Sequence, residues 1–263
     1  MNPKPVAFTT GAGRGIGRAV VIELARHGYD IAANDIVFDP ADRTRGLLEV
    51  QEQAERLGAR FLPLAGDVSS LADQERFIGE ILAAFGRIDV LVNNAGIAPA
   101  ERIDLLETPP ESYDRVMAVN ARGAFFLSQR VAREMIRRRE SGESGPLSII
   151  FITSISAVVS SPSRPEYCVS KAALSQTAAL FADRLAGRAI NVYEIRPGLI
   201  RTAMTEPVKD KYDRLIAKGL IPQGRWGEPE DVAKTVAALA SGAFGYSTGA
   251  VIEVSGGMNI RRL

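Results

Sequence analysis

The sequence predicts a three-layer α/β/α fold, in which helices cover both faces of a doubly wound parallel sheet of about seven strands. One observation is that short apolar runs recur along the chain, separated by longer segments with helical spacing. Another is that most of these runs lack the polar alternation of a half-exposed strand, as expected when both faces of a sheet are covered. The seven candidate strands lie at residues 6–8, 31–33, 61–64, 90–92, 149–152, 190–195 and 250–254.

The segments between these runs are predicted to be helices. Residues 17–27 have apolar side chains at helical spacing, and Gly28 supplies a C-terminal stop. Residues 71–85 carry a stripe of five large apolar side chains and end before Gly86. Because strands and helices alternate, the connections should be right-handed crossovers within one parallel sheet.

The whole chain, residues 1–263, is predicted to form one domain, because no segment resembles a long linker. Two stretches have a loop-like composition, at residues 141–146 and 206–226. The first is interpreted as a solvent loop. The second interrupts the repeat late in the chain, so a substrate loop is predicted near residues 203–225.

Composition excludes several functional classes. The net charge is +1, from 32 basic and 31 acidic residues, so no overall field would attract nucleic acid or an anionic membrane. Cys168 is the single cysteine and His27 the single histidine, which allows no intrachain disulfide and predicts no metal site. No apolar run reaches the length of a membrane span, and residues 1–10 do not resemble a signal peptide. A soluble, cytoplasmic protein is therefore expected.

A glycine-rich segment, residues 10–17, follows the first candidate strand and opens the first candidate helix. Glycines allow the backbone to turn tightly and to approach a pyrophosphate, and the helix N-terminus offers unpaired N–H groups. The alternative is an ordinary glycine-rich turn, but the position between a strand and a helix favours a dinucleotide-binding loop. The predicted cofactor-binding residues here are Gly11, Arg14, Gly15, Ile16 and Gly17.

Asp35 at the end of the second strand favours NAD over NADP. A carboxylate at this point accepts hydrogen bonds from the ribose hydroxyls of adenosine and repels a 2′-phosphate. Arg14 favours NADP instead, because a guanidinium beside that site pairs with the 2′-phosphate. NAD is the predicted cofactor, and NADP stays open as the alternative.

Polar and small residues follow the third and fourth strands. Ligands of open α/β sheets bind outside the carboxyl ends of the strands, so these residues are predicted to line the cofactor cleft. Asp67 has an alternative interpretation as a helix cap. The predicted contacts are Asp67, Val68, Asn94, Ala95 and Gly96.

Tyr167 is the predicted proton-transfer residue. Lys171 lies four residues further along a candidate helix, so both side chains project from one face. The lysine ammonium, together with a nicotinamide cation, should lower the phenol pKa toward the working pH. Ser154 at the end of the fifth strand should orient the reacting oxygen. Taken alone, the tyrosine and lysine could be an ordinary pair on a solvated helix face.

These motifs together resemble those of the short-chain dehydrogenase/reductase family, in its short single-domain branch with a Rossmann fold. The resemblance covers essentially the whole chain. It implies that Asn120 completes a proton relay with Ser154, Tyr167 and Lys171, and that Tyr167 and Lys171 also contact the cofactor. It further implies that the nicotinamide end is held by Pro197, Gly198, Ile200 and Thr202.

The predicted activity is reversible hydride transfer between NAD and a small-molecule secondary alcohol or ketone. Within the family, the segments at residues 224–233 and 255–257 look like those of 3-oxoacyl-[acyl-carrier-protein] reductases, so an NADPH-dependent reductase of that kind is one alternative. A non-catalytic dinucleotide sensor is another. The resemblance also implies a homo-oligomer, commonly a tetramer. Residues 156–165 and 203–225 should shape the substrate pocket, and their mixture of small, polar and apolar side chains selects no chemical class of substrate.

Overall fold

A computed structural model describes residues 4–39 and 41–262 of the chain. Met1, Asn2, Pro3, Pro40 and Leu263 lie outside the described residues, and the expectation that residues 1–10 form no signal peptide falls partly on them. No helix within the described ranges is both long and apolar enough to cross a membrane.

The sheet contains the seven predicted strands. They pair only in parallel, in the order β3-β2-β1-β4-β5-β6-β7. The strand order reverses between β1 and β4, which leaves a crevice at the carboxyl ends of these two strands. The strands are β1 (Val6–Thr10), β2 (Asp30–Asp35), β3 (Phe61–Ala65), β4 (Val90–Asn93), β5 (Ser148–Ile152), β6 (Asn191–Pro197) and β7 (Val251–Val254).

Eight α-helices lie in the described residues. The predicted helix at residues 71–85 is confirmed with those bounds, and the one at 17–27 begins two residues earlier than predicted. The helices are α1 (Gly15–Arg26), α2 (Gly46–Arg56), α3 (Leu71–Phe85), α4 (Pro110–Met117), α5 (Ala124–Glu140), α6 (Pro165–Ala186), α7 (Lys209–Ala217) and α8 (Pro229–Ala240).

Two apolar cores lie on opposite faces of the sheet and confirm the three layers. On one face, α1, α2 and α8 pack on the strands through residues such as Leu24, Leu47 and Val236. On the other, α3, α5 and α6 pack through residues such as Phe77 and Leu174. Both cores are made of fully buried aliphatic and aromatic side chains, whose burial stabilises the fold by about 1.5–3 kcal/mol for each large residue.

Two local features differ from a simple βα repeat. A π-helical turn, Ala118–Gly123, joins α4 to α5 without a break. The segment 206–226, predicted to be loop-like, contains the short 3₁₀ helix Glu206–Val208 and the helix α7. The prediction missed α7 because this segment is rich in charged residues, and its few apolar side chains pack on a separate small core rather than on the sheet.

Candidate active site

The glycine-rich loop between β1 and α1 is packed so closely that larger residues do not fit. A Cβ on Gly17 would lie 2.1 Å from the carbonyl oxygen of Gly11 and 2.5 Å from Nδ2 of Asn94. A Cβ on Gly11 would lie 2.9 Å from Cα of Ala95. Helix α1 has neither a side-chain cap nor an acidic residue in its first turn. The loop therefore presents free N–H groups at a positive helix end, which fits a pyrophosphate.

Asn94 supports this loop from the end of β4. Its Nδ2 donates to the carbonyl oxygens of Thr10, at 2.9 Å, and Gly11, at 3.0 Å. The Thr10 hydroxyl oxygen accepts from the N–H groups of Asn94, at 3.1 Å, and Ala95, at 3.0 Å. The side chain of Asn94 is thus engaged by the loop, which gives this predicted cofactor contact a positioning role. Thr10, which the sequence did not single out, is the other half of this junction.

Asp35 lies against the same loop. Its Oδ2 accepts from the N–H of Gly13 at 2.9 Å, and its Oδ1 accepts from the N–H of Val37 at 3.1 Å. A partly exposed carboxylate is therefore held beside the turn, at the side of the crevice where an adenosine ribose would lie. Arg14 immediately precedes α1 and is exposed. The described residues give it no carboxylate partner.

Asp67 does not cap the helix that follows it. The cap of α3 is Ser70, whose hydroxyl accepts from the N–H of Asp73, while Asp67 accepts from the N–H of Ser69 at 2.8 Å in a tight turn. The helix-cap interpretation is therefore wrong. The neighbouring Val68 is held by the buried Gln74, whose Nε2 donates to its carbonyl oxygen at 2.7 Å.

The structure brings Ser154, Tyr167 and Lys171 together at the carboxyl ends of the central strands. Ser154 follows β5, and its hydroxyl oxygen accepts from the N–H of Ser156 at 3.1 Å. Tyr167 and Lys171 lie one turn apart on α6, with Nζ of the lysine 5.7 Å from the centre of the phenol ring. All three side chains are buried, with 4–9 % exposure.

Burial raises the pKa of Tyr167, while the Arg164 cation and a hydrogen bond with the Ser154 hydroxyl offset part of that rise. From the sequence we expected Lys171, together with a bound nicotinamide cation, to lower the pKa of this phenol. In the chain by itself the pKa is raised instead, because burial disfavours the phenolate more than the Arg164 cation favours it.

Burial also lowers the pKa of Lys171 to about 8, although Glu194 acts in the opposite direction. Its Nζ donates to the carbonyl oxygen of Ile152 at 3.0 Å. Glu194 is itself buried in β6 and accepts from Thr153, Ser175 and Arg196. Glu194 was not among the predicted site residues, although a charged residue inside an apolar strand is a signal that the sequence contains.

The lowered pKa of Lys171 predicts a pH-dependent stability. Between pH 8 and 10 the unfolded chain keeps a proton on this lysine that the folded chain has lost, so the free energy of unfolding should rise with pH, by about 2 kcal/mol. Lys171→Met should remove this rise. Urea unfolding of both proteins from pH 7 to 10 measures it, and equal slopes would contradict the assignment. The buried tyrosines contribute to the pH dependence of stability in both proteins alike, so their contribution cancels in the comparison.

Asn120 lies in the π-helical turn and is fully buried. Its Oδ1 accepts from the N–H of Ile97 at 2.8 Å, and its Nδ2 donates to the Ile97 carbonyl and to the Ser170 hydroxyl, both at 3.0 Å. A Cβ on Gly96 would lie 3.3 Å from Oδ1 of Asn120 and 3.5 Å from Nζ of Lys171. Gly96 therefore leaves the asparagine and the lysine open to a shared space.

The turn after β6 closes the other wall. A Cβ on Gly198 would lie 2.9 Å from Cα of Ser255, so Pro197 and Gly198 form a tight turn against the segment after β7. Ile200 is buried in the core, and its carbonyl oxygen accepts from the Thr205 hydroxyl at 2.8 Å. The Thr202 methyl group lies 3.3 Å from the Cβ position of Gly15, directly opposite the glycine-rich loop.

The predicted substrate loop starts at this wall. Trp226 packs there in a small apolar core with Ile216 and Ile221, separate from the two sheet cores. Its indole N–H donates to Asp213 on α7 at 2.7 Å. The apolar residues of the segment 203–225 therefore pack around Trp226 rather than on the sheet.

Comparisons with known proteins identify the family of this chain. Residues 11–259 match the profile of the family described as enoyl-(acyl carrier protein) reductase. The 3-oxoacyl-[acyl-carrier-protein] reductase of Thermotoga maritima is 35% identical over 255 residues, covering 97% of this chain and 98% of the relative. The 2-dehydro-3-deoxy-D-gluconate 5-dehydrogenase of Dickeya dadantii is 36% identical over 255 residues, covering 96% of this chain and 94% of the relative.

The fold also agrees with that of a solved crystal structure. The 3-oxoacyl-[acyl-carrier protein] reductase of Brucella melitensis, solved in complex with NAD, is 41% identical to this chain. The superposition covers 100% of both chains and has a TM-score of 0.93.

Proposed function

The chain belongs to the short-chain dehydrogenase/reductase family of oxidoreductases, and on that premise we propose that it transfers a hydride reversibly between NAD and a secondary alcohol or ketone. One observation carries the proposal. A buried phenol, Tyr167, lies beside the Ser154 hydroxyl and one helical turn from the buried amine of Lys171, at the crevice that the glycine-rich loop opens.

The described residues fit a dinucleotide. Gly11 and Gly17 let the loop pack closely on its own backbone and on the end of β4, and Gly15 adopts a positive φ of 54°, so that the N–H groups at the start of α1 can approach a pyrophosphate. Asp35 offers a carboxylate for ribose hydroxyls. Ile16, Val68, Ala95 and Thr202 would line the remaining walls. When bound, the nicotinamide supplies or accepts the hydride.

The chain's own side chains manage the proton. The Ser154 hydroxyl would donate a hydrogen bond to the reacting oxygen and hold it near Tyr167. Tyr167 would give its phenolic proton to a ketone oxygen, or take the proton of an alcohol in the reverse direction. Lys171, when protonated, favours the phenolate, and Asn120 holds the backbone that borders this proton path.

A panel of secondary alcohols and ketones, assayed with NAD(H) and NADP(H) by the absorbance of the reduced cofactor, tests the function. We expect turnover of at least one compound with NAD. Cofactor binding without turnover of any compound would favour a non-catalytic dinucleotide sensor instead. The full set of Ser154, Tyr167 and Lys171 argues against that alternative, because a sensor requires no proton-transfer group.

Asp35 should set the preference for NAD. Asp35→Ala should lower the ratio of kcat/KM for NAD over NADP by about 10- to 100-fold, because a charge-assisted hydrogen bond contributes about 1.5–3 kcal/mol and the repulsion of a 2′-phosphate is lost. The ratio is the readout, since the change also removes the acceptor of the Gly13 N–H and weakens both cofactors.

Asp39→Ala is the matched control, because it removes an exposed carboxylate four residues further along the chain. It should leave the ratio unchanged. A wild-type protein that prefers NADPH would overturn the role given to Asp35.

A second candidate is an NADPH-dependent 3-oxoacyl-[acyl-carrier-protein] reductase. Relatives with that name match nearly the whole chain, and the exposed cation of Arg14 at the start of α1 suits a 2′-phosphate. Assays of a 3-oxoacyl thioester with NADPH and NADH separate the two candidates.

We further propose that residues 1–263 work as one domain, with residues 203–225 as the substrate loop, and that the protein is a cytoplasmic homo-oligomer, of tetrameric form. Exposed apolar side chains on α6 (Val169 and Leu180) and on the end strand β7 (Val251) support self-association. Light scattering of the purified protein tests the oligomeric state.

A further inference from the structure

Arg164, in the segment 156–165 that was predicted to shape the substrate pocket, lies over the catalytic tyrosine. It immediately precedes α6, and its guanidinium carbon is 5.1 Å from the centre of the Tyr167 ring. Its Nη2 donates to the Ser156 hydroxyl at 3.0 Å, and its Nε donates to the Ser161 hydroxyl at 3.3 Å. The side chain therefore folds back across the phenol toward the segment that begins with Ser154.

The charge of this arginine has no partner within the described part of the chain. No carboxylate lies within 4.0 Å of its guanidinium, whereas Arg18, Arg196 and Arg225 each pair with an acidic side chain. Two serine hydroxyls use two of its five N–H bonds and balance none of its charge. The three remaining N–H bonds are available to a ligand.

Helix stability does not explain an arginine at this position. The residue before a helix is usually Ser, Thr, Asp or Asn, and Arg164 forms no side-chain cap. A cation at the N-terminus of a helix of 22 residues is also repelled by the helix dipole. An anion bound here would relieve that repulsion.

We infer that Arg164 binds the carboxylate of an acidic substrate, a hydroxy acid or its keto acid, whose secondary alcohol or ketone then lies at Tyr167 and Ser154. This inference rests on the proposed function and names its substrate class. The planar guanidinium matches a carboxylate with two parallel hydrogen bonds. One guanidinium balances one carboxylate, whereas a phosphate monoester carries about −1.5 to −2 at pH 7 and would remain partly uncompensated.

A pair of substrates that differ only in this charge gives the test. We would compare 3-hydroxybutanoate with its methyl ester in the wild-type enzyme and in Arg164→Gln, with saturating NAD. The wild type should prefer the acid. Arg164→Gln should lower kcat/KM for the acid by about 10- to 100-fold, mostly through KM, since a hydrogen bond to a charged group contributes about 1.5–3 kcal/mol. The KM for the ester should change less than about threefold.

Two further variants separate substrate binding from general effects of charge. Arg164→Lys keeps the cation and should restore part of the preference for the acid, although it loses the planar fork. Arg133→Gln removes an exposed cation from α5 and should change neither substrate. Equal losses on acid and ester in Arg164→Gln would overturn the inference, as would a wild type that prefers glycerol 3-phosphate to both compounds.

Binding of butanoate, which lacks the reacting hydroxyl, separates this inference from the proposed function. Calorimetric titration should detect butanoate binding to the wild type and not to Arg164→Gln. Arg164-dependent binding without turnover of any alcohol would reject the proposed reaction and support the carboxylate site. Turnover of neutral alcohols with no binding of butanoate would support the reaction and reject the carboxylate site.

Discussion

Replacing Tyr167 by phenylalanine is expected to lower kcat by on the order of 10³-fold, within the usual range for the loss of a general acid or base. The variant keeps the ring, so the contacts of the phenol face with Arg164 and Lys171 should survive. Only the hydroxyl that exchanges a proton with the substrate is lost. Fluorescence titration with NADH should give a dissociation constant within a few-fold of the wild-type value.

Tyr193→Phe is the matched control for this experiment. Tyr193 is also buried, and it lies on β6, away from the phenol of Tyr167. Its hydroxyl donates to the carbonyl oxygen of Phe244 at 2.8 Å. Loss of that hydrogen bond should cost about 0.5–1.5 kcal/mol of stability and leave kcat near the wild-type value. Turnover of Tyr167→Phe at the wild-type rate would falsify the mechanism.

Replacing Gly17 by alanine is expected to weaken cofactor binding strongly. The new Cβ would lie 2.1 Å from the carbonyl oxygen of Gly11, a backbone atom that cannot move without opening the loop. Overpacking of this kind costs about 1–3 kcal/mol, and the displaced N–H groups no longer converge on a pyrophosphate. The dissociation constant for NADH should rise by at least about tenfold, since 1.4 kcal/mol corresponds to that factor.

Alanine substitutions at two other glycines are the controls for this prediction. A Cβ on Gly13 would lie 2.9 Å from Oδ2 of Asp35, the end of a side chain that can rotate away, so Gly13→Ala should weaken binding less than Gly17→Ala. Gly79 on α3 has no atom within 4 Å of its Cβ position, and Gly79→Ala should leave binding unchanged. If Gly17→Ala bound NADH as well as Gly79→Ala does, the loop would not be the pyrophosphate site.

The sequence could predict the layers of the fold because its strands are covered on both faces and therefore appear as unbroken apolar runs. All seven predicted runs are strands. It could also predict the pairing of Tyr167 with Lys171, since residues four apart on a helix share a face. These features depend on local spacing, which the sequence contains directly.

Features that depend on packing could not be predicted in the same way. The pKa of Tyr167 rises because of burial, which no spacing along the chain reveals. Arg164 precedes its helix as a single charge, so only the folded chain brings its guanidinium over the phenol. Helix α7 was missed because its apolar residues meet Trp226 instead of the sheet.

The π-helical turn at Ala118–Gly123 has a consequence for how the chain tolerates insertions and deletions. A π turn contains one residue more than an α turn, so the extra residue is absorbed within one wide turn and the helices on either side stay nearly in phase. Deletion of a single residue here would therefore give regular α-helix through the segment, with α4 and α5 still in phase. It would remove the wide turn on which Asn120 meets Ile97. Homologous chains that share this site should therefore keep the same number of residues between the two helices.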